Sequence, residues 1–274
     1  MTAENFYYLV LTSSIITSAV FFVYLITLKK IIGQIALGVF SFNTLMLLTY
    51  LIIRGIKGGY FPVSNTHEGL IFFAFLASII FLLFYLKNKI LIVGVFLSPL
   101  ATILTLIAGF IDKNVGQILP ILESFWFPIH VVSAFIGNAL FALSFVVSIV
   151  YLIENFRLKK KKFDVLGKIL PSITTLDTIN YLCLIYGFPF LTLGMITGAI
   201  WAQFAIGSYW NNDPKEIWSL VTWFLYAALL HTRLINGWKG RRIAILSILA
   251  FLFLVFSFIG VKFLFKGYHV FEIK

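Results

Sequence analysis

Sulfur and charge are both scarce in this chain. A single cysteine, Cys183, stands among 274 residues, in an apolar run without a partner. Disulfide frameworks, CxxC redox chemistry and thiolate metal sites are thereby excluded as functions of the single chain. Charged residues amount to 11%, and no acid–base dyad is visible, so no catalytic pair is assigned. Internal repeats are absent, as is low-complexity sequence beyond the basic run Lys159 to Lys162. What fills the chain instead is apolar: 61% of residues are hydrophobic and the mean hydropathy is +1.03, against about 45–50% apolar content in soluble domains. Lipid is therefore the main solvent, and no length remains for a soluble domain.

A helix satisfies its own backbone hydrogen bonds where no water is available, so apolar stretches of about 20 residues read as membrane spans. Eight such stretches stand at roughly 6–28, 34–53, 69–86, 90–109, 128–152, 180–201, 216–234 and 243–265. The expectation is a single polytopic all-α membrane domain over 1–274, with about eight transmembrane helices and both termini outside. The first stretch lacks a basic leader and a small-residue cleavage site, and is read as a retained helix. With the N-terminus outside, Lys29, Lys30, Lys87, Lys89, Arg157, Lys159 to Lys162, Lys168, Arg233, Lys239, Arg241 and Arg242 all fall on the inner side. The other seven bases are matched outside by Glu4, Glu68, Asp112, Glu123, Asp213, Glu216 and Glu272. The whole net charge of +11 thus sits inside, as the positive-inside rule requires. The basic balance reports topology and not nucleic-acid binding, which needs a folded basic face.

The outer loops carry helix-start signals. Asn65 with Glu68 three residues on predicts a capping box for the third helix. Asp213, Pro214 and Glu216 repeat the pattern for the seventh, as cap, first helical residue and N3 acid. Gly194 and Gly198 form a GxxxG face after Pro189, which predicts close helix packing.

Topology sorts the four histidines. His130, in ESFWFPIHVV, and His269, in FKGYHVF, reach the outer side, and His67 lies in the outer loop before the third helix. His231, in LLHTRL, lies near the inner end of the seventh. One interfacial histidine is ordinarily a polar anchor, but two on one face, flanking Trp201, Phe204, Tyr209, Trp210, Trp218 and Trp223, suggest more. Four of the six tryptophans fall within 23 residues, more than an interfacial belt requires. Two axial imidazoles and an aromatic floor suit a flat iron porphyrin. Backbone N–H groups at the start of the seventh helix, with Lys215, form a candidate propionate anchor. His231 belongs to a different site, about 25 Å along the helix from Pro214 at 1.5 Å per residue. Ala227 and Ala228 leave room there for a flat ligand. A ligand role suits a costly intramembrane histidine; snorkelling of His231 and Arg233 to the inner interface is the alternative.

The stretch LDTINYLCLIYGFPFLTLGMITGAIWAQFAIGSYWNNDPKEIWSLVTWFLYAALLHTRLINGWKGRR closely resembles the tryptophan-rich WWD region of the CcsA/ResC-type cytochrome c assembly proteins of system II. FPVSNTHEGL and LESFWFPIHVVSAFIGNALF resemble that family's outer-loop motif and first outer histidine, and GYHVF its second. The resemblance covers roughly 60–274, with the outer WWD segment at about 201–218. It implies an eight-helix subunit that works with a ResB/CcsB-type partner, exports haem and attaches it to the CxxCH motif of apocytochrome c. Carried over by position, His130 and His269 would be the outer ligands of haem b and His231 the inner one, with the opposite inner ligand from the partner. Trp201, Gly207, Trp210, Asp213 and Trp218 match the motif, whereas Ile206 and Asn212 stand where tryptophans are usual. Glu68 matches the outer-loop motif, and His67 has no counterpart role.

On this reading haem enters at His231, moves outward, and is presented at the outer site as subunit of a haem lyase. Two rivals remain. A HemX-like haem-binding regulator should lack GSYWxxDPKE or the outer histidine pair. A secondary transporter predicts intramembrane acids or broken helices, for which Pro189 is the candidate. The expected location is a bacterial plasma membrane, with the thylakoid as the alternative.

Overall fold

The computed structural model describes residues 3–111, 113, 122–161 and 165–260. Its regular structure is helical: α1 (Ala3–Thr27), α2 (Lys30–Gly58), α3 (Thr66–Asn88), α4 (Ile92–Gly109), α5 (Trp126–Lys159), α6 (Ile173–Ile206), α7 (Pro214–Leu234) and α8 (Arg241–Val255), the last continued by a π-helical turn at Phe256–Gly260. Seven of these are long and apolar enough to cross a membrane. The helix below that mark is α7, whose two ends carry Lys215, Glu216, His231 and Arg233. The chain is thus an all-α, multi-pass membrane protein. Its helices overrun the apolar stretches: α6 runs for 34 residues where hydropathy marks 180–201. The outer end of the eighth predicted span lies outside the described residues.

The chain divides into two compact units, Met1–Pro120 with Arg157–Pro171, and Ile121–Phe156 with Ser172–Lys274. In the first, α1 packs on α2 and α4, and α3 on α2 and α4, closing a four-helix bundle. Its outer face is apolar and its interior holds hydroxyl groups as well as apolar side chains. α1 buries Ser13, Ser14 and Thr17 and exposes Ile15, Ile16, Phe22 and Ile26, because the surrounding solvent is hydrocarbon and only the interior offers polar partners. Ser14 donates to Asn43 Oδ1 at 3.0 Å, and the Ser18 and Thr102 hydroxyls meet at 2.8 Å. Phe21, Phe40 and Phe81 form an edge-to-face cluster, and Gly94 lets α4 lie against it, since a Cβ there would collide with the Phe21 ring.

The start of α3 departs from the expected capping box. Asn65 caps as predicted, accepting from Glu68 N–H at 2.9 Å. The Glu68 carboxylate, fully buried, accepts instead from the Ser64 N–H and hydroxyl, from Tyr60, and from Arg54, whose guanidinium lies 2.7 Å away. Arg54 is itself 1% exposed and also donates to the Lys113 carbonyl. The two charges that read as outer-loop residues are an ion pair that pins the α2–α3 loop.

In the second unit, α5 and α6 touch backbone to backbone. A Cβ at Gly194 would lie 2.8 Å from Ala134 N, and one at Gly137 would lie 2.8 Å from Leu191 N, so the GxxxG face packs as expected and extends to Gly137 and Gly187. Asn180 on α6 donates to Ser144 and Ser148 of α5 and Ser247 of α8. Tyr226 of α7 stacks on Phe141 with ring centroids 3.5 Å apart. Proline interrupts neither of its helices: α6 runs through Pro189, and α4 through Pro99, a second interior proline that the sequence reading passed over.

Candidate functional site

His130 stands in the second turn of α5, beside the glycine seam. Its Nδ1 lies 2.7 Å from the Gly194 carbonyl of α6. A carbonyl only accepts, so Nδ1 carries the proton and the lone pair belongs to Nε2. The close approach is a product of Gly198: a Cβ there would meet His130 Nδ1 at 2.6 Å. The ring lies parallel to Trp201, 6.3 Å between centroids and 6° between planes, and Trp201 is held on Phe127 at 5.7 Å. A backbone carbonyl holding one ring nitrogen, with the other left as a directed base, is the arrangement that orients a histidine toward a metal.

His67 makes the opposite case. Its Nδ1 also donates to a backbone carbonyl, that of Ala108 at 2.8 Å, but Nε2 takes the Tyr50 hydroxyl at 2.7 Å. Both nitrogens are occupied in a fully buried ring, which makes His67 a structural joint between α2, α3 and α4.

The segment between α6 and α7 is shaped by backbone demands. Gly207 ends α6 with φ +80, its N–H on Gln203 O at 3.0 Å, the left-handed cap that glycine adopts without strain. Asn212 is also left-handed, at φ 54, a conformation asparagine tolerates far better than tryptophan. Asp213 and Glu216 form the predicted capping box: Asp213 accepts from Lys215 N–H at 2.8 Å, and Glu216 from Asp213 N–H at 3.3 Å. Glu216 also accepts from Asn211 N–H at 2.8 Å, so one carboxylate gathers the loop end.

The aromatic residues divide. Trp201 is buried beneath His130. Trp218 packs on Phe253 and Phe256, and Trp223 packs on Phe188 while donating to Thr192 at 2.8 Å. Phe204, Tyr209 and Trp210 remain exposed, with Trp210 Nε1 held by Asn212 Oδ1 at 2.7 Å. The aromatic residues are therefore of two kinds, packed side chains at Trp201, Trp218 and Trp223 and exposed ones at Phe204, Tyr209 and Trp210. Lys215 is exposed at the start of α7, and His269 lies outside the described residues.

At the other end of α7, His231 is exposed. Arg233 does not snorkel with it. Its guanidinium is buried against Asp177 of α6, at 2.6 and 2.7 Å, and stands 4.9 Å over the Tyr181 ring. Asp177 also accepts from Gly240 N–H at 2.7 Å, at the start of α8. The sequence reading missed this cluster, since Asp177 lies 56 residues from Arg233 and 63 from Gly240.

Comparison with known proteins bears on the whole chain. The family model described as "Cytochrome C assembly protein" matches residues 63–269. Cytochrome c biogenesis protein CcsA of Chlamydomonas reinhardtii is 37% identical over 255 residues, covering 89% of this chain and 69% of that protein. The CcsA protein of Cyanophora paradoxa is 31% identical over 98% of this chain and 95% of its own length. Among solved structures, the cytochrome c haem lyase CcmF superposes with a TM-score of 0.67 at 14% identity, over 94% of this chain. That likeness concerns fold, and the chain spans about half the length of CcmF, 47%. On the family match and the identities of its relatives, the chain belongs to the cytochrome c assembly family, as a CcsA-type cytochrome c biogenesis protein.

Proposed function

We propose that the chain is the haem-handling subunit of a system II cytochrome c synthase, exporting haem b and presenting it outside for attachment to apocytochrome c. The observation that carries this reading is the pose of His130, with Nδ1–H on the Gly194 carbonyl and Nε2 left as the base. His130 and His269 are the two outer iron ligands and His231 the inner one, opposed there by a ligand from a ResB/CcsB-type partner. Trp201 and Trp218 support the outer platform, Gly207 and Asp213 fix its loop, Trp210 offers a stacking face, and Lys215 with the α7 N-terminus takes a propionate.

The reaction adds each cysteine thiol of CxxCH across a haem vinyl group. Sulfur bonds one vinyl carbon and hydrogen the other, so nothing is oxidised or reduced overall. Such an addition is accelerated chiefly by holding the reactants in line, which is the service this chain offers. The membrane is a bacterial plasma membrane in this proposal, and the thylakoid is the alternative that the algal relatives support. The continuous helices through Pro99 and Pro189 weigh against the secondary-transporter reading.

The test is the visible spectrum of the detergent-purified protein co-expressed with its partner. Wild type should carry low-spin ferrous haem, His130→Gly with His269→Gly should lose the outer component, and added imidazole should restore it. A spectrum indifferent to both substitutions overturns the proposal.

A further inference from the structure

Arg233 and His231 are two residues apart on α7, and a helix turns about 100° per residue at 3.6 residues per turn. The two side chains therefore project about 200° apart, on opposite faces. Arg233 is buried, and its side-chain hydrogen bonds go to a single residue, Asp177. Asp177 takes both guanidinium nitrogens, at 2.6 and 2.7 Å, while its own backbone carbonyl takes a further bond at 3.3 Å. Tyr181, one turn along α6, lies beneath the guanidinium. The same carboxylate holds Gly240 N–H, where a left-handed glycine at φ 66 starts α8. One side chain thus fixes the rotation of α7 at its inner end and the return of the chain into α8.

The rotation decides where His231 stands. With Arg233 locked toward α6, His231 falls on a stripe with Val221, Phe224, Ala228 and Ile235, all exposed. The ring makes no hydrogen bond among the described residues, so packing of its own does not hold it. What orients it is the helix that carries it, and what orients that helix is the bidentate pair, since a guanidinium and carboxylate matched edge to edge fix angle as well as distance.

We infer that Asp177 is a positioning residue for the inner haem site, setting through Arg233 the helix rotation that directs His231 outward from α6. The inference rests on the reading of His231 as an inner haem ligand. It differs from a role in general stability, because it acts through one imidazole that can be replaced by a free one.

The experiment uses the full chain with its partner and reads inner-site haem in a His130→Gly/His269→Gly background, with haem per protein and the ferrous spectrum as readouts. Asp177→Asn should lower inner-site haem by about ten-fold, as loss of an orienting partner does at metal sites, and Asp177→Glu should recover most of it. In His231→Gly with imidazole, Asp177→Asn should have no further effect, because a diffusible ligand does not depend on helix rotation. An equal loss in the imidazole-rescued protein assigns Asp177 to general packing and overturns the inference, as does an Asp177→Asn spectrum identical to that of the His130→Gly/His269→Gly background. If His231→Gly leaves the spectrum unchanged, the inner-ligand reading itself fails, and the inference with it.

Discussion

Two histidines begin alike and end differently. His67 and His130 both donate Nδ1–H to a helix carbonyl, yet the Tyr50 hydroxyl closes the second nitrogen of His67 and nothing among the described residues closes that of His130. Exposure follows the same division, since His67 is 0% exposed. Replacing His67 by Phe leaves the Tyr50 hydroxyl and the Ala108 carbonyl without their partner in a dry interior, a loss of about 1–3 kcal/mol. The His67→Phe protein should melt at lower temperature with its haem spectrum intact. A normal melt with a lost spectrum would reverse the two assignments.

At the scale of the helix, the α5–α6 seam couples stability to the site. Gly194 meets the Ala134 backbone and Gly198 the His130 ring, so the two glycines answer substitution differently. Gly194→Ala must separate the helices, and should lower both the melting temperature and the outer haem signal. Gly198→Ala displaces a ring that can turn, and should weaken the outer haem spectrum with little change in the melt. Parallel thermal and spectral titrations of the two variants check this, and identical behaviour would sever the seam from the site. GxxxG made the seam legible in the sequence, because close packing needs a local spacing. Asn65 and the Asp213–Glu216 box were legible for the same reason. Arg54–Glu68 and Asp177–Arg233 were not: each joins different helices, and no local pattern distinguishes a buried charge from a loop charge. The role of Glu68 changed accordingly, from helix cap to ion-pair partner. The left-handed backbone at Asn212 explains an asparagine in the aromatic segment only once the turn is seen.

For the whole chain, the apolar stretches mark eight expected spans, of which seven are helices long and apolar enough to cross a membrane, α7 falling below that mark. Its crossing is the step on which the inner position of His231 depends. In a Cys183→Ser background, cysteines introduced at Asn211 and Lys239 should react with a membrane-impermeant maleimide from opposite sides, Asn211 from outside and Lys239 only from inside. Labelling of both from one side would return α7 to the surface and remove the inner site. The buried Arg54–Glu68 pair should show in the same preparations, since Glu68→Gln leaves a guanidinium without its counter-charge, at about 3–5 kcal/mol.

α5 and α6 each run for 34 residues, about 51 Å at 1.5 Å per residue, against a hydrocarbon layer of about 30 Å. A tilt of about 20°, common for such helices, shortens their vertical reach only slightly. Some 15–20 Å of helix is left to divide between the two aqueous sides. Each of the two helices is thus longer than the hydrocarbon layer requires, and carries about three further turns beyond it.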